Sequence, residues 1–205
     1  MAATKNVAER KRGGATSTRR AELLEIAATM FATRGYAQTT VRDIADEAGI
    51  LSGSLYHHFA SKEAMLTEIL QEFMGGLLGS TKRIVEEGDD PSEVIDRLIR
   101  NSFETIHQQR SEVALYQNES AFLATIPEFA FVTKASLEIE KAWLSVLDAG
   151  CTSGAFREDV DVKLLYRFIR DAVWASVHWY KPGGRLDHVT VADQFIALLH
   201  GGLRN

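Results

Sequence analysis

The amino-acid sequence predicts an all-α protein of about nine helices. Only three of its 205 residues are proline, and alternating runs of β-branched residues are scarce. Apolar residues instead recur at helical spacing along almost the whole chain. Hydrophobic residues make up 45% of the composition and charged residues 25%, which is ordinary for a soluble globular protein. No run of about 18 or more apolar residues occurs, so we expect no membrane association.

Capping residues and glycines place the first four helices. The first is expected from about residue 17 to 34, with Gly35 at its C-cap. Thr39 or Thr40 then caps a short helix over 41–48, and Gly49 ends it. A third short helix follows over 52–58, and Ser61 begins a longer fourth helix that reaches about residue 86.

The remaining helices follow from the same signals. Asp90-Pro91 is an N-cap followed by proline at the first helical position, and it starts a helix that reaches about residue 110. The later helices are expected at 112–124, 127–150, 161–180 and 191–203, with a loop over 151–159. We divide the chain into a disordered basic arm (1–16), a helix-turn-helix domain (17–63) and a larger helical domain (64–205) that binds ligand and dimerises.

Positive charge is concentrated at the N-terminal end of an otherwise acidic chain. The net charge is −5, but residues 1–63 hold nine Lys and Arg against seven Asp and Glu, a balance of +2. The other residues hold fourteen against twenty-one, a balance of −7. Such an asymmetry favours contact with phosphates at the basic end. A solvated basic arm over residues 1–16 is compatible with the same counts.

The two short helices around Gly49 form a helix-turn-helix candidate, in which the second helix enters the major groove of DNA. Small side chains at its start would permit close approach to base edges, and hydroxyl and basic groups around it suit phosphate oxygens. The groove-facing candidates are Ser52, Gly53, Ser54 and His57; the phosphate candidates are Thr40, Arg42, Tyr56, His57 and Lys62; and Arg19 and Arg20 could reach an adjacent groove or the backbone.

Several of these residues also have plainer interpretations. Tyr56 could serve packing alone, and Arg42 could be a solvated charge. His57 and His58 are adjacent, so on a helix they point about 100° apart and do not form a metal site without a third ligand. We therefore expect no metal, and a packing role for His58.

The helix expected at 161–180 is apolar around most of its circumference, so it must bury two faces. Together with the last helix it could pair with a second copy in a four-helix bundle. The interface candidates are Phe168, Val173, Phe195, Ile196 and Leu199. The alternative is that both faces belong to the core of one subunit.

Arg170 is the unusual residue of that helix, one turn from both Tyr166 and Trp174. An unpaired charge beside apolar surface is costly, so Arg170 either pairs with an internal carboxylate or awaits an anionic ligand. A ligand with a flat apolar body and a carboxylate or phosphate would suit the pair that it forms with Trp174. Further lining candidates are Tyr116, Gln117, Phe122 and Trp143.

Three segments of the N-terminal region resemble the TetR family of transcription repressors. They are TTVRDIADEAG (39–49), GSLYHHF (53–59) and SKE (61–63), and the resemblance covers about residues 20–66. It implies a homodimer that binds double-stranded DNA at a near-palindromic operator and is released by a small-molecule effector.

Further segments, most of them in the C-terminal half, indicate which members of the TetR family the chain resembles. GILSGSLYHHFA (49–60), YRFIRD (166–171), Trp174, WY (179–180) and PGG (182–184) look like the actinobacterial TetR-type repressors of steroid-ring (cholesterol) catabolism. By that resemblance the effector is a steroid-derived acyl-CoA thioester, and Arg170 and Trp174 line its cleft. A repressor that senses an unrelated hydrophobic ligand, or none, is the alternative.

Other function classes fit the sequence less well. The chain contains no phosphate-binding Gly-rich loop, nucleophile elbow or metal-ligand pattern, so we expect neither an enzyme nor a cofactor. A DNA-packaging protein without a ligand is disfavoured by the acidic C-terminal region. Cys151 is the single cysteine, which excludes an intrachain disulfide. Because no apolar segment follows the basic N-terminus, a secretory signal is not expected and the predicted location is cytoplasmic.

Overall fold

The computed structural model describes the backbone of residues 2–203 and the side chains of residues 18–203, and this part is helical without any strand. The chain forms two compact units, Met1–Ile69 and Leu70–Asn205. The all-α prediction is confirmed. The arm predicted to be disordered over 1–16 has a helical backbone from Ala2 onward, so the first helix begins before the predicted residue 17. The side chains of this arm lie outside the described part, and its contacts stay a prediction. None of the helices in the described part combines the length and apolarity that a bilayer crossing requires.

The first unit contains α1 (Ala2–Arg34), α2 (Val41–Glu47), α3 (Ser52–Tyr56) and the start of α4 (Lys62–Glu87). Gly35 and Gly49 have φ values of 88° and 66°, so both hold the left-handed conformation expected of helix-terminating glycines. Phe31 of α1, Ile44 of α2 and Leu55 of α3 are fully or almost fully buried together in a small core. This core fixes α2 and α3 within the unit.

Helix α3 is shorter than the sequence predicts. It ends at Tyr56 rather than at residue 58, because His57 is the C-cap and its N–H bonds the Ser54 carbonyl at 3.2 Å. The next two N–H groups, of His58 and Phe59, both bond the Leu55 carbonyl. Helix α3 is therefore little more than one turn, and the chain leaves it before reaching α4.

The second unit contains the rest of α4, α5 (Pro91–Gln108), α6 (Arg110–Leu123), α7 (Ala130–Ser153), α8 (Val162–Ala175) and α9 (His188–Leu203). Helix α5 packs against α6, α7, α8 and α9 and supplies the centre of the core. Its buried residues include Ile95, Leu98, Ile99 and Ile106. Asp90 caps this helix as predicted, accepting a hydrogen bond from the Ser92 N–H at 2.9 Å.

Several boundaries in this unit differ from the prediction. Helix α8 ends at Ala175 rather than at 180, and α7 begins at Ala130 rather than at 127, because a 3-10 helix adjoins each of these ends.

Helix α7 also continues into the expected 151–159 loop as far as Ser153 and ends at Gly154, whose φ is 78°. Helix α9 begins at His188 instead of 191, because Asp187 accepts a hydrogen bond from the Thr190 N–H at 2.7 Å. In both cases the helix extends to the nearest residue that can cap it.

Gly150 of α7 allows the following loop to fold back on the helix. A Cβ atom at this position would lie 2.1 Å from the ring of Phe156, which is fully buried. The Phe156 N–H also bonds the Gly150 carbonyl at 3.0 Å. No side chain fits between this helix and the ring.

We expect Gly150→Ala to lower the free energy of unfolding by about 1–3 kcal/mol, because the added methyl group overpacks a rigid aromatic contact. Gly75→Ala in α4 is the matched control, since a Cβ there would meet nothing within 4 Å. Alanine is favoured over glycine within a helix, so the control should gain about 0.5–1 kcal/mol. Thermal melting of both variants distinguishes them, and equal melting temperatures would contradict the expected clash.

Candidate DNA-binding and effector sites

The first turn of α3 presents small, exposed residues. Gly53, Ser54 and His57 are exposed and Ser52 is half-buried. Leu55 and Phe59 are buried and anchor the segment to the unit core. The structure therefore brings the predicted groove-facing residues together on one exposed surface, supported from behind by apolar packing.

Thr40 and Arg42 lie at the start of α2. Thr40 caps the helix in a capping box: its hydroxyl accepts a hydrogen bond from the Asp43 N–H at 3.1 Å, and its own N–H donates to the Asp43 carboxylate at 2.8 Å. The Thr40 hydroxyl also donates to that carboxylate at 2.6 Å. The Thr40 hydrogen bonds hold the pKa of Asp43 below its usual value. Arg42 is 84% exposed, with the Asp46 carboxylate 3.7 Å away. Such an exposed cation is available to a phosphate.

Tyr56 and His58 differ in their surroundings. Tyr56 is 56% exposed, which argues against a role in packing alone. His58 is half-buried, and its ring centroid lies 6.5 Å from that of Phe59, in agreement with the expected packing role. No cluster of His, Cys, Asp or Glu side chains in the described part of the chain is arranged to hold a metal ion.

Lys62 has a structural role that sequence reasoning missed. Its Nζ donates to the carbonyl oxygens of Tyr36 and Thr39, each at 2.8 Å, and lies 4.2 Å from the centroid of the Tyr36 ring. These contacts hold the turn between α1 and α2. An ammonium group has three donors, so one remains for a phosphate, and the DNA contact of Lys62 stays a prediction. Nothing in the local sequence signals partners 23 and 26 residues away.

Arg19 and Arg20 are also engaged within their own unit. Arg19 donates to the Ala48 carbonyl oxygen, at the end of α2, at 2.8 Å and pairs with Glu22. Arg20 pairs with Glu68 and lies 4.4 Å above the Phe59 ring. The structure thus gives both arginines a bracing role, because their long side chains reach carbonyl and carboxylate oxygens of the same unit. Their contact with DNA remains a prediction.

Replacing Lys62 by alanine is expected to weaken binding to every duplex sequence and to reduce the slope of log K against log salt by about 1. The loss of two charge-assisted hydrogen bonds to the turn should also lower the free energy of unfolding by about 1–2 kcal/mol. Arg42→Ala is the control, since it removes an exposed charge without such contacts and should change the slope alone. A lower melting temperature for Lys62→Ala with an unchanged slope would leave Lys62 only its bracing role.

The second unit contains a cavity of about 340 Å³ bordered by α4, α6, α7 and α8. A smaller cavity of about 20 Å³ shares several of its walls and extends towards Trp143. Residues common to both cavities are Leu77, Ile139, Tyr166, Arg170 and Trp174. The predicted residues Tyr116 and Gln117 line the larger cavity. Five of the seven predicted ligand-binding residues therefore line the larger cavity, and Trp143 lines only the smaller one beside it.

Phe122 is the exception, and its assignment to the cavity was wrong. Its side chain is 43% exposed and lines neither of these two cavities. Phe122 follows Tyr116 by six residues on α6, which turns it about 240° around the helix. The two side chains therefore cannot face the same space.

Arg170 lies at the edge of the cavity and is half-buried. Its Nε donates to the carboxylate of Asp171 at 2.8 Å, and its guanidinium lies 5.8 Å from the centroid of the Tyr166 ring. The hydrogen bond to Asp171 raises the pKa of Arg170 further. The hydrogen-bonded carboxylate is an exposed neighbour on the same helix. The half-buried Glu140 carboxylate of the cavity wall also acts on Arg170 electrostatically, so pairing with an internal carboxylate remains an alternative.

Other polar groups of the cavity wall are partly satisfied. The Tyr116 hydroxyl lies 2.9 Å from the Ser136 hydroxyl. Burial, and next the nearby Glu140 carboxylate, raise the pKa of Tyr166 to about 12. Tyr166 therefore keeps its proton at neutral pH and can serve as a hydrogen-bond donor to a ligand. The cavity wall is about as polar as it is apolar. Beside a cation and phenol donors it includes the carboxylates of Glu140 and Asp171.

An apolar groove runs between α8 and α9 on the surface of the second unit. Its most exposed members are Leu198, at 77%, and Phe168, at 64%. Its lining residues are Val160, Leu165, Phe168, Ile169, Ala172, Phe195, Leu198, Leu199, Gly202 and Leu203. Three predicted interface residues, Phe168, Phe195 and Leu199, are among them. Leu198 was missed.

Val173 and Ile196 were assigned wrongly to that interface. They are 1% and 6% exposed, so they belong to the core of their own unit. Val173 follows Phe168 by five residues, which places it about 140° away around α8. An apolar helix with two buried faces does not reveal from its sequence which face turns inward.

Comparison with known proteins shows the family of the chain. The model described as "Bacterial regulatory proteins, tetR family" matches residues 23–69. A second, "Tetracyclin repressor-like, C-terminal domain", matches residues 88–203 and so more than half of the chain. The chain belongs to the TetR family. The predictions of a TetR-like fold and of a regulator that is not an enzyme are thereby confirmed.

Individual members of the TetR family show the narrower similarity. The HTH-type transcriptional repressor KstR2 of Mycolicibacterium smegmatis is 49% identical over 187 residues, 91% of each protein. The structure of the ketosteroid transcriptional regulator KstR2 of Mycobacterium tuberculosis is 49% identical, with a TM-score of 0.89 over 91% of this chain and 95% of that one. These matches confirm the predicted resemblance to actinobacterial steroid repressors.

A more distant TetR-like structure carries both kinds of ligand. AibR in complex with isovaleryl coenzyme A and operator DNA is 25% identical to this chain, with a TM-score of 0.77. The alignment covers 88% of this chain and 97% of that one.

Proposed function

We propose that the protein is a transcriptional repressor that binds a palindromic operator as a homodimer and is released by an acyl-CoA thioester from steroid-ring degradation. The observation that carries the DNA-binding part is the exposed, small-residue first turn of α3, anchored by Leu55 and Phe59. Ser52, Gly53 and Ser54 meet the base edges. The exposed Thr40, Arg42, Tyr56 and His57 contact the phosphates around them.

The groove between α8 and α9 supports the homodimer. Leu198 and Phe168 are too exposed for a chain that acts alone, and the groove is almost entirely apolar. Two copies that pack α8 and α9 against each other form a four-helix interface with two-fold symmetry. The same symmetry presents two α3 helices to half-sites about 34–36 Å apart on a palindrome.

The cavity beside Arg170 supports an effector with an apolar body and an oxygen-rich head. Its 340 Å³ lies near the lower end of the range of about 300–1,000 Å³ for ligand pockets. It suits the acyl part of a thioester, with the coenzyme A part reaching outward past Arg170. AibR with bound isovaleryl coenzyme A, and KstR2 as a ketosteroid regulator, are relatives whose names agree with this ligand class.

Release requires that the ligand bind a DNA-incompetent state more tightly than the DNA-bound state. A hundredfold loss of operator affinity corresponds to a coupling free energy of about 2.7 kcal/mol. Helix α4 is the element through which this coupling passes. Its residues Met74 and Leu77 line the cavity, and its first residue, Lys62, holds the turn before α2.

The test is a release assay on an operator fragment. DNA from the region beside the gene is labelled, and binding is measured by fluorescence anisotropy against random duplexes of equal length. Steroid-ring acyl-CoA thioesters are then added in parallel with the free acids, unesterified coenzyme A and sterols. Specific binding that thioesters alone abolish supports the proposal. Release by free acids or sterols contradicts the thioester assignment, and equal affinity for random DNA contradicts the repressor.

A further inference from the structure

We infer that Leu51 reads a thymine in the operator by packing its side chain against the 5-methyl group in the major groove. The inference rests on the proposed function and names a specificity-determining contact for it. Leu51 was not among the groove-facing candidates named from the sequence.

The structure places Leu51 in the opposite environment. Its side chain is 80% exposed, the most exposed large hydrophobic residue in the described part of the chain. Leu51 is the N-cap of α3, and its carbonyl accepts the Ser54 N–H at 2.8 Å. The N-terminal residues of a recognition helix are the ones that contact base edges in a helix-turn-helix complex.

Leucine at this position also works against the local stability of α3. The N-caps of α2, α5 and α8 are Thr40, Asp90 and Asp161, and each accepts a hydrogen bond from its helix. Leu51 makes no side-chain cap hydrogen bond. Leucine is a poor N-cap compared with Ser, Thr, Asp or Asn. A residue that is exposed and locally unfavourable is typical of a binding contact.

Gly53 is a second residue of this surface, after Leu51, whose identity the fold does not explain. A Cβ atom there would meet nothing within 4 Å, and its φ lies outside the left-handed region. Neither packing nor backbone conformation therefore calls for glycine inside this short helix. Without a side chain at this position, the helix can approach another molecule closely. Such an approach brings Leu51 within reach of the base edges.

The thymine methyl group is the apolar partner that fits. In the major groove the four base pairs present hydrogen-bond donors and acceptors, and only thymine adds an apolar group. Ser52 and Ser54 supply hydroxyls next to Leu51, so the leucine is the apolar element of an otherwise polar reading surface. A buried methyl contact contributes about fourfold in affinity, and two half-sites contribute about fifteenfold.

The experiment replaces each thymine of the operator in turn by deoxyuridine, symmetrically in both half-sites. This change removes the 5-methyl group and leaves all hydrogen-bonding groups in place. We expect one position at which the wild-type protein loses about fifteenfold in affinity. Leu51→Ala should lose a similar factor on the unmodified operator, and on the deoxyuridine operator it should show no further loss. If, at every thymine, the loss of affinity from the deoxyuridine replacement multiplies with the loss from Leu51→Ala, the inference is wrong.

Two further variants separate reading from folding. Leu51→Asn supplies a capping side chain, so its melting temperature should equal or exceed that of the wild type while its operator affinity falls. Leu137→Ala removes another exposed leucine, on α7, and should leave affinity unchanged. If Leu51→Asn retains full operator affinity, the inference about Leu51 is wrong, whereas the proposed repressor function is not contradicted. If the wild-type protein prefers no operator to random DNA, the proposed function fails first.

Discussion

Leu198→Glu should convert the protein to a monomer and lower its operator affinity by at least about a hundredfold. Leu198 is 77% exposed on the apolar groove of one subunit, so the substitution leaves the core of that subunit intact. In the proposed homodimer each copy would bring a carboxylate into an apolar interface, at a cost of several kcal/mol per charge. A monomer meets a single half-site and loses the contacts of the other.

Sedimentation velocity gives the mass of the variant, and anisotropy gives its operator affinity. Leu137→Glu is the control, because it places the same charge at another exposed leucine outside the α8–α9 groove. A dimer of Leu198→Glu with wild-type stability would show that the subunits associate elsewhere. A monomer that still binds the whole operator tightly would separate dimerisation from DNA binding.

Arg170→Met should leave operator affinity nearly unchanged but raise the effector concentration needed for release by about 10- to 100-fold. The guanidinium lies at the cavity edge, and a charge-assisted hydrogen bond to a ligand oxygen is worth about 1.5–3 kcal/mol. Methionine keeps much of the apolar length of the side chain and removes its donors. The exposed Asp171 carboxylate then loses its partner at little cost in stability, because it is solvated.

Arg167→Met provides the matched control, as the same substitution on the same helix at an exposed position that lines neither cavity. Release titrations of both variants on one operator fragment are compared with the wild type. Wild-type effector sensitivity of Arg170→Met would remove Arg170 from the effector site. A weaker response of Arg167→Met as well would point to a general effect of charge on α8.

Most helix boundaries could be predicted because the signals that set them are local. A cap hydrogen bond joins residues two or three apart, as Thr40 with Asp43 and Asp90 with Ser92 show. The helix-terminating glycines Gly35 and Gly49 act through their own φ angles. The boundary errors at Gly154 and Asp187 arose where a second capping residue lay within a few positions of the expected end. Helices α3 and α8 also end earlier than predicted.

The side-chain contacts of the candidate sites were predicted less completely, because long side chains contact groups that only folding brings near. Lys62 finds carbonyl groups 23 and 26 residues away, and Arg20 finds Glu68 48 residues away. Which side of an apolar helix faces inward is equally non-local, and so Val173 was mistaken for surface while Leu51 and Leu198 were overlooked.

The sequence by itself determined the all-α class, the order of the helices, the helix-turn-helix at the N-terminal end and membership of the TetR family. These depend on periodicity, capping and motif residues close together in the chain. The tertiary structure alone decided that Lys62, Arg19 and Arg20 brace their own unit and that Phe122 faces solvent. It also decided that Arg170 shares a cavity edge with an exposed carboxylate. The physical reason is that burial and hydrogen-bond partners depend on distances in space, which the sequence does not contain.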